Sequence, residues 1–112
     1  MRAQEFVDAH VQRFNKAVRE GDWQTYGQGF APDATVAFDG VPVPPMVGQD
    51  AIVAGYRSAP PDDTINVLST NVDGDSVTVA FAWNAEPQKQ AGTMDMQVAD
   101  GLISNLTVRL GG

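Results

Sequence analysis

The 112-residue chain contains no cysteine and only one histidine, His10. The absence of cysteine excludes disulfides, thiol nucleophiles and cysteine-based zinc or iron–sulfur sites. One histidine cannot supply the ligands of a histidine-rich metal site. We therefore expect a protein that uses neither a bound metal nor another cofactor.

Basic residues and long apolar runs are also scarce. Seven Lys and Arg stand against fourteen Asp and Glu, for a net charge of −7. No basic stripe is available to neutralise phosphates, so we predict no nucleic-acid partner. No run is long enough to span a bilayer, and the first residues lack the apolar segment of a signal peptide, so we expect a cytoplasmic protein without a membrane partner. The length predicts a single domain covering residues 1–112.

Three helices are predicted in the first half of the chain. Apolar residues recur at helical spacing from about residue 3 to residue 20. Gly21 fits the C-cap of this helix, and Asp22 fits the N-cap of a second, short helix that hides an aromatic face. A third helix is predicted over residues 49–57, ending before two consecutive prolines.

The rest of the chain has the pattern of strands. Residues 34–39 have the pattern of a strand. The proline-rich residues 40–48 are predicted to form an irregular loop, and because this loop is apolar we expect it to pack over another part of the protein. After Asp63, three further stretches alternate apolar and polar residues, with turns at residues 73–75 and 100–101. Helices followed by consecutive strands predict an α+β fold, with helices on one face of a curved antiparallel sheet.

The order of these elements, together with "GDW" at residues 21–23, "FAPDATV" at residues 30–36 and the Asp-Gly turn at residues 100–101, resembles the nuclear transport factor 2-like superfamily. This superfamily includes SnoaL-like polyketide cyclases, ketosteroid isomerases and limonene-type epoxide hydrolases. The resemblance covers essentially the whole chain. It implies a cystatin-like cone, in which three N-terminal helices pack on the sheet around an apolar pocket, and a small apolar molecule as partner.

Ketosteroid isomerases use an Asp base, with a Tyr and a protonated Asp to hold the oxyanion. In this chain the position of that Tyr is Phe14, which cannot donate a hydrogen bond. The position of the oxyanion Asp is best matched by Met94, with Asp95 on the opposite face of the strand. The base falls on Phe38 in an ungapped match, or on Asp39 if the strand carries a one-residue bulge. The usual isomerisation mechanism is therefore not expected here.

Asp39 and His10 are the predicted catalytic residues. Asp39 ends an apolar strand, and a carboxylate at the mouth of an apolar pocket could move protons, although an Asp-Gly pair is also an ordinary turn. His10 lies one helical turn before Phe14 and could assist, or it could simply be packed in the core. Asp63 could partner Asp39 in epoxide opening, but an Asp at a strand entry is also common turn chemistry.

Six residues are predicted to contact the ligand, whereas most other aromatic and methionine side chains are expected to be core. The predicted contact residues are Phe14, Tyr26, Phe38, Met46, Trp83 and Met94.

Two functions fit these patterns. The first is a cofactor-free isomerase, cyclase or epoxide hydrolase-like enzyme that acts on an apolar metabolite by acid–base chemistry. The second is a non-catalytic module that binds a hydrophobic ligand or dimerises. Because Ile103 and the pair Leu106 and Val108 should lie on opposite faces of the last strand, we expect a partly apolar outer sheet face and a homodimer.

Overall fold

The computed structural model describes residues 3–40 and 43–110. Val41 and Pro42, which belong to the predicted proline-rich loop, lie outside the described residues. Three helices and six strands are present along these ranges. The helices are α1 (Ala3–Glu20), α2 (Trp23–Gly27) and α3 (Gln49–Ser58), and the strands are β1 (Phe30–Asp39), β2 (Met46–Val47), β3 (Ile65–Asp73), β4 (Ser76–Trp83), β5 (Gln90–Ala99) and β6 (Leu102–Leu110).

The predicted elbow between the first two helices is confirmed. Gly21 adopts a positive φ of 73°, and its amide donates to the carbonyl of Ala17 over 2.7 Å. A glycine in this conformation ends a helix without steric cost. The Asp22 carboxylate then accepts a hydrogen bond from the Thr25 amide at 3.3 Å and caps α2.

The six strands form one sheet in the order β2-β1-β6-β5-β4-β3. Every neighbouring pair is antiparallel except β1 and β6, which run parallel. The predicted sheet was wholly antiparallel, and this one pair is the exception. It arises because the long crossover from β1 to β6 passes through α3 and the four strands β2 to β5, which gives enough chain to return in the same direction.

Shifts of register bend the sheet around α1. β1 carries three extra residues between Phe30 and Thr35, and β3 carries Leu68 as one extra residue opposite β4. β6 carries Ser104 as an extra residue opposite β5. An unpaired residue of this kind increases the local twist and bends the strand. The result is the predicted α+β architecture, with a curved sheet covered by helices on its concave face.

The extra residue Ser104 overturns the expected apolar outer face. Strict alternation along β6 would place Ile103 and Leu106 on opposite faces of the sheet. The inserted residue instead moves Ile103 to the inner face, where it is fully buried in the core. Small and polar side chains occupy the outer face of the central strands instead. They form three cross-strand rows: Ser76, Gln97, Asn105 and Thr35; Thr78, Asp95, Thr107 and Ala37; and Ala80, Thr93, Arg109 and Asp39. The homodimer stays a prediction, now without this argument in its favour.

Candidate functional site

An apolar cavity of about 160 Å³ lies between the helices and the concave face of the sheet. None of the described residues that line it carries a charge. The lining residues are Phe14 of α1, Tyr26 of α2, Phe38 of β1, Tyr56 of α3, Pro61, Ile65 of β3, Phe81 and Trp83 of β4, Met94 of β5, and Leu106, Val108 and Leu110 of β6.

Strand alternation explains which residues reach the cavity. Phe38 on β1 stands beside Val108 on β6, which in turn stands beside Met94 on β5. Side chains in one cross-strand row point to the same face, so this row lies on the inner side. Five of the six predicted contact residues lie at the cavity, namely Phe14, Tyr26, Phe38, Trp83 and Met94. Their contact with a ligand stays a prediction.

Met46 lies in a neighbouring, more open groove instead. The groove has a volume of about 490 Å³ and runs between α3 and the proline-rich segment 43–47. Phe38, Tyr56 and Pro61 line both the groove and the cavity. These three residues therefore form the boundary between the two spaces.

Two tyrosines supply the hydroxyl groups of the cavity wall. The Tyr26 hydroxyl donates to the Tyr56 hydroxyl, with 3.4 Å between the two oxygens. Burial is the main cause that raises the pKa of Tyr56 to about 12 and the pKa of Tyr26 well above its usual 10. Both side chains are therefore neutral hydrogen-bond donors near pH 7.

Asp39 does not line the cavity. β1 and β6 pair without interruption from Thr35 to Asp39, so no bulge rotates the end of the strand, and Phe38 takes the inner position. The Asp39 side chain, 70% exposed, lies on the outer side, where its Oδ2 is 3.5 Å from the Nε of Arg109. Arg109 is also paired with Asp95, which accepts a hydrogen bond from Thr78 Oγ1 at 2.9 Å.

His10 is buried in the core, with 1% of its surface exposed, but it does not line the cavity. Its ring packs against the rings of Tyr26 and Phe30, at centroid distances of 5.5 and 6.0 Å. Burial, with a smaller contribution from the positive charge of Arg13, lowers the pKa of His10 from 6.5 to about 3. The imidazole is thus neutral at physiological pH, and its Nδ1 has no hydrogen-bond partner among the described residues.

The structure does not bring Asp39 and His10 together at the cavity, so their joint acid–base role stays a prediction that the geometry does not favour. The Asp63 carboxylate accepts the backbone hydrogen bonds of a turn residue. Its Oδ1 accepts from the Thr64 amide at 2.9 Å, and its Oδ2 accepts from the Ala85 amide at 2.8 Å. These bonds tie the entry of β3 to the segment after β4, and Asp63 is not part of the cavity wall.

Tyr56 lines the cavity but was not among the predicted contact residues. The same holds for Phe81 and for the inner residues of β6, which are Leu106, Val108 and Leu110. Their alternation with polar neighbours was visible, but alternation does not distinguish a cavity wall from a filled core. The pairing of Tyr56 with Tyr26, thirty positions away, had no local signal.

Within residues 3–40 and 43–110, no group of three or more His, Asp or Glu side chains is placed to hold a metal ion. Among the helices of the same ranges, none combines the length and apolar character needed to cross a membrane.

The curved sheet wrapped around a long helix, with an apolar cavity inside, defines the cystatin-like architecture of the nuclear transport factor 2-like proteins. Residues 11–106 match the model of the SnoaL-like domain. The protein belongs to the SnoaL-like domain family.

Solved structures share the fold at low sequence identity. A candidate isomerase from Bacillus subtilis is 15% identical with a TM-score of 0.75, over 99% of this chain and 90% of the other. A candidate ketosteroid isomerase from Kribbella flavida is 19% identical with a TM-score of 0.67, over 96% of this chain and 79% of the other. A candidate polyketide cyclase from Sinorhizobium meliloti is 25% identical with a TM-score of 0.61, over 89% and 93%. No curated protein matches the chain at a significant level.

Proposed function

We propose that this protein binds a small, uncharged, mostly apolar molecule in the cavity between its helices and its sheet. The observation that carries this proposal is the composition of the wall, in which twelve residues leave a space of about 160 Å³ without one charged side chain. A cavity of roughly 150 Å³ lined by apolar side chains stays dry and holds a molecule the size of benzene. A charged ligand would lose its hydration there without a compensating partner.

The tyrosine pair adds a preference for a ligand that carries one hydrogen-bond acceptor. Each hydroxyl has one hydrogen to donate, and the bond between Tyr26 and Tyr56 uses only one of the two. The hydroxyl hydrogen of Tyr56 remains free to donate to a carbonyl, ether or epoxide oxygen.

Calorimetric titration with two probes of similar size tests this proposal. Acetophenone carries an acceptor oxygen and ethylbenzene does not. We expect both to bind, with acetophenone a few-fold to tenfold tighter, because one neutral hydrogen bond contributes about 0.5–1.5 kcal/mol. Tyr56→Phe should remove that preference and leave ethylbenzene binding unchanged.

A pair of valine variants separates cavity binding from binding elsewhere. Val108→Phe places a ring in the cavity wall and should abolish the binding of both probes. Val72→Phe, at a residue of β3 that is 49% exposed and outside the cavity, is the matched control and should bind as the unchanged protein does. Equal affinity in all three proteins would reject the cavity as the binding site.

A second function, turnover of the bound molecule as an isomerase or cyclase, is favoured by one observation. The tyrosine hydroxyls are neutral donors inside an apolar site, where a hydrogen bond to a developing oxyanion is strong. The structures described as candidate isomerases and as a candidate polyketide cyclase belong to the same fold. On this proposal Tyr56→Phe would lower kcat for a substrate, whereas for a binding protein it would change affinity alone.

A further inference from the structure

We infer that the groove beside α3 is the outer half of the same ligand site, so that the natural ligand is an elongated apolar molecule larger than one ring. This inference rests on the proposed function. The inner cavity and the groove share Phe38, Tyr56 and Pro61 as lining residues. One layer of side chains therefore separates a molecule bound in the cavity from the groove.

The two volumes decide the size of the ligand. The cavity, at about 160 Å³, has room for one six-membered ring. The groove, at about 490 Å³, lies by itself within the range of roughly 300–1,000 Å³ that is typical of small-molecule sites. A ring in the cavity with a longer apolar body along the groove fills both spaces, whereas a one-ring ligand leaves the larger one unused.

Phe38 is the side chain that can open the boundary. It is only half-buried, and its ring meets that of Tyr56 edge-on at a centroid distance of 6.3 Å. Tyr56 is held by its hydrogen bond to Tyr26 and by stacking on Trp23 at 4.9 Å. A rotation of Phe38 therefore joins the cavity to the groove without disturbing the tyrosine pair.

The groove also provides a place to test the inference without altering the cavity. Ala51 of α3 is exposed and lines the groove, but it is not part of the cavity wall. Ala51→Trp should fill the groove. Ala54→Trp is the matched control, because Ala54 is exposed on the same helix and lines neither space.

The experiment is a calorimetric titration of phenyl alkyl ketones, from acetophenone to octanophenone, into the three proteins. In the unchanged protein and in Ala54→Trp, the affinity should rise up to roughly fourfold for each added methylene, because burying one methylene contributes about 0.8 kcal/mol. In Ala51→Trp, octanophenone should bind no more tightly than acetophenone, while acetophenone binds as before.

Other outcomes overturn the inference, and one of them also rejects the proposed function. If acetophenone binds but chain length adds no affinity, the groove is not part of the site and the cavity proposal still stands. If no ketone binds, the cavity proposal fails as well. If a second copy of the chain binds in the groove instead, Ala51→Trp will change the mass measured by light scattering and leave the affinities for the ketones unchanged.

Discussion

His10 should make the stability of this protein fall in mild acid. The side chain is buried against the rings of Tyr26 and Phe30, where a charged imidazole would lose its hydration. Its pKa is about 3 in the folded protein and 6.5 in the unfolded chain. Between these two values the unfolded chain binds more protons, so the free energy of unfolding rises with pH. The stability that depends on the neutral His10 imidazole is therefore fully present above pH 6.5 and is lost as the pH falls toward 3.

The size of the effect follows from the two pKa values. One unit of pKa corresponds to about 1.4 kcal/mol, so at pH 5 the contribution of His10 lowers the free energy of unfolding by about 2 kcal/mol relative to pH 8. At pH 3 the same calculation gives about 4 kcal/mol. Small domains unfold with roughly 5–15 kcal/mol, so this loss would be a substantial fraction of the total stability.

Urea denaturation at pH 5, 6 and 8 measures this contribution when the unchanged protein is compared with His10→Leu. Carboxylates titrate in both proteins, so the difference between the two pH profiles isolates the imidazole. His10→Phe provides a second side chain that does not titrate, which keeps a packing defect in one variant from imitating the pH effect. Parallel profiles for the unchanged protein and both variants would refute this reasoning.

Four further predictions concern the site, the sheet and the assembly. Phe14→Tyr should cost less than about 1 kcal/mol in thermal melts, because Phe14 borders the cavity and the new hydroxyl has room; a loss of roughly 1–3 kcal/mol would instead indicate a sealed core. Asp39→Asn should change the free energy of unfolding by at most about 1 kcal/mol, since Asp39 forms an exposed ion pair. It should lower turnover a hundred- to ten-thousand-fold only if Asp39 is the catalytic base. Gly92→Ala should destabilise by about 2 kcal/mol or more, because its Cβ would collide with the Arg109 backbone carbonyl, while Gly55→Ala meets only a flexible methionine side chain and should cost less. The homodimer expected from the sequence should appear as twice the chain mass in light scattering at high micromolar concentration, and a monomer mass there would contradict it.

The sequence by itself determined the three helices, the longer strands and the elbow between α1 and α2, because these depend on residues a few positions apart. The two-residue strand β2 (Met46–Val47) is the exception, since it lies in the segment predicted as a loop. Gly21 and Asp22 fixed the elbow between the first two helices through a positive φ and a side-chain cap. Alternation along β4 and β5 identified their buried faces. The resemblance to ketosteroid isomerases further implies that Phe14 stands at the position of their tyrosine, where a phenyl ring offers no hydroxyl.

Only the tertiary structure decided which residues face the cavity. Phe38 rather than Asp39 points inward because β1 pairs with β6 without a bulge from Thr35 onward, and this register involves residues about seventy positions apart. One extra residue at Ser104 in β6 turned Ile103 inward and left the outer face polar. A strand has a period of two, so a single inserted residue reverses every side chain beyond it, and no local pattern specifies where pairing with a distant strand inserts one.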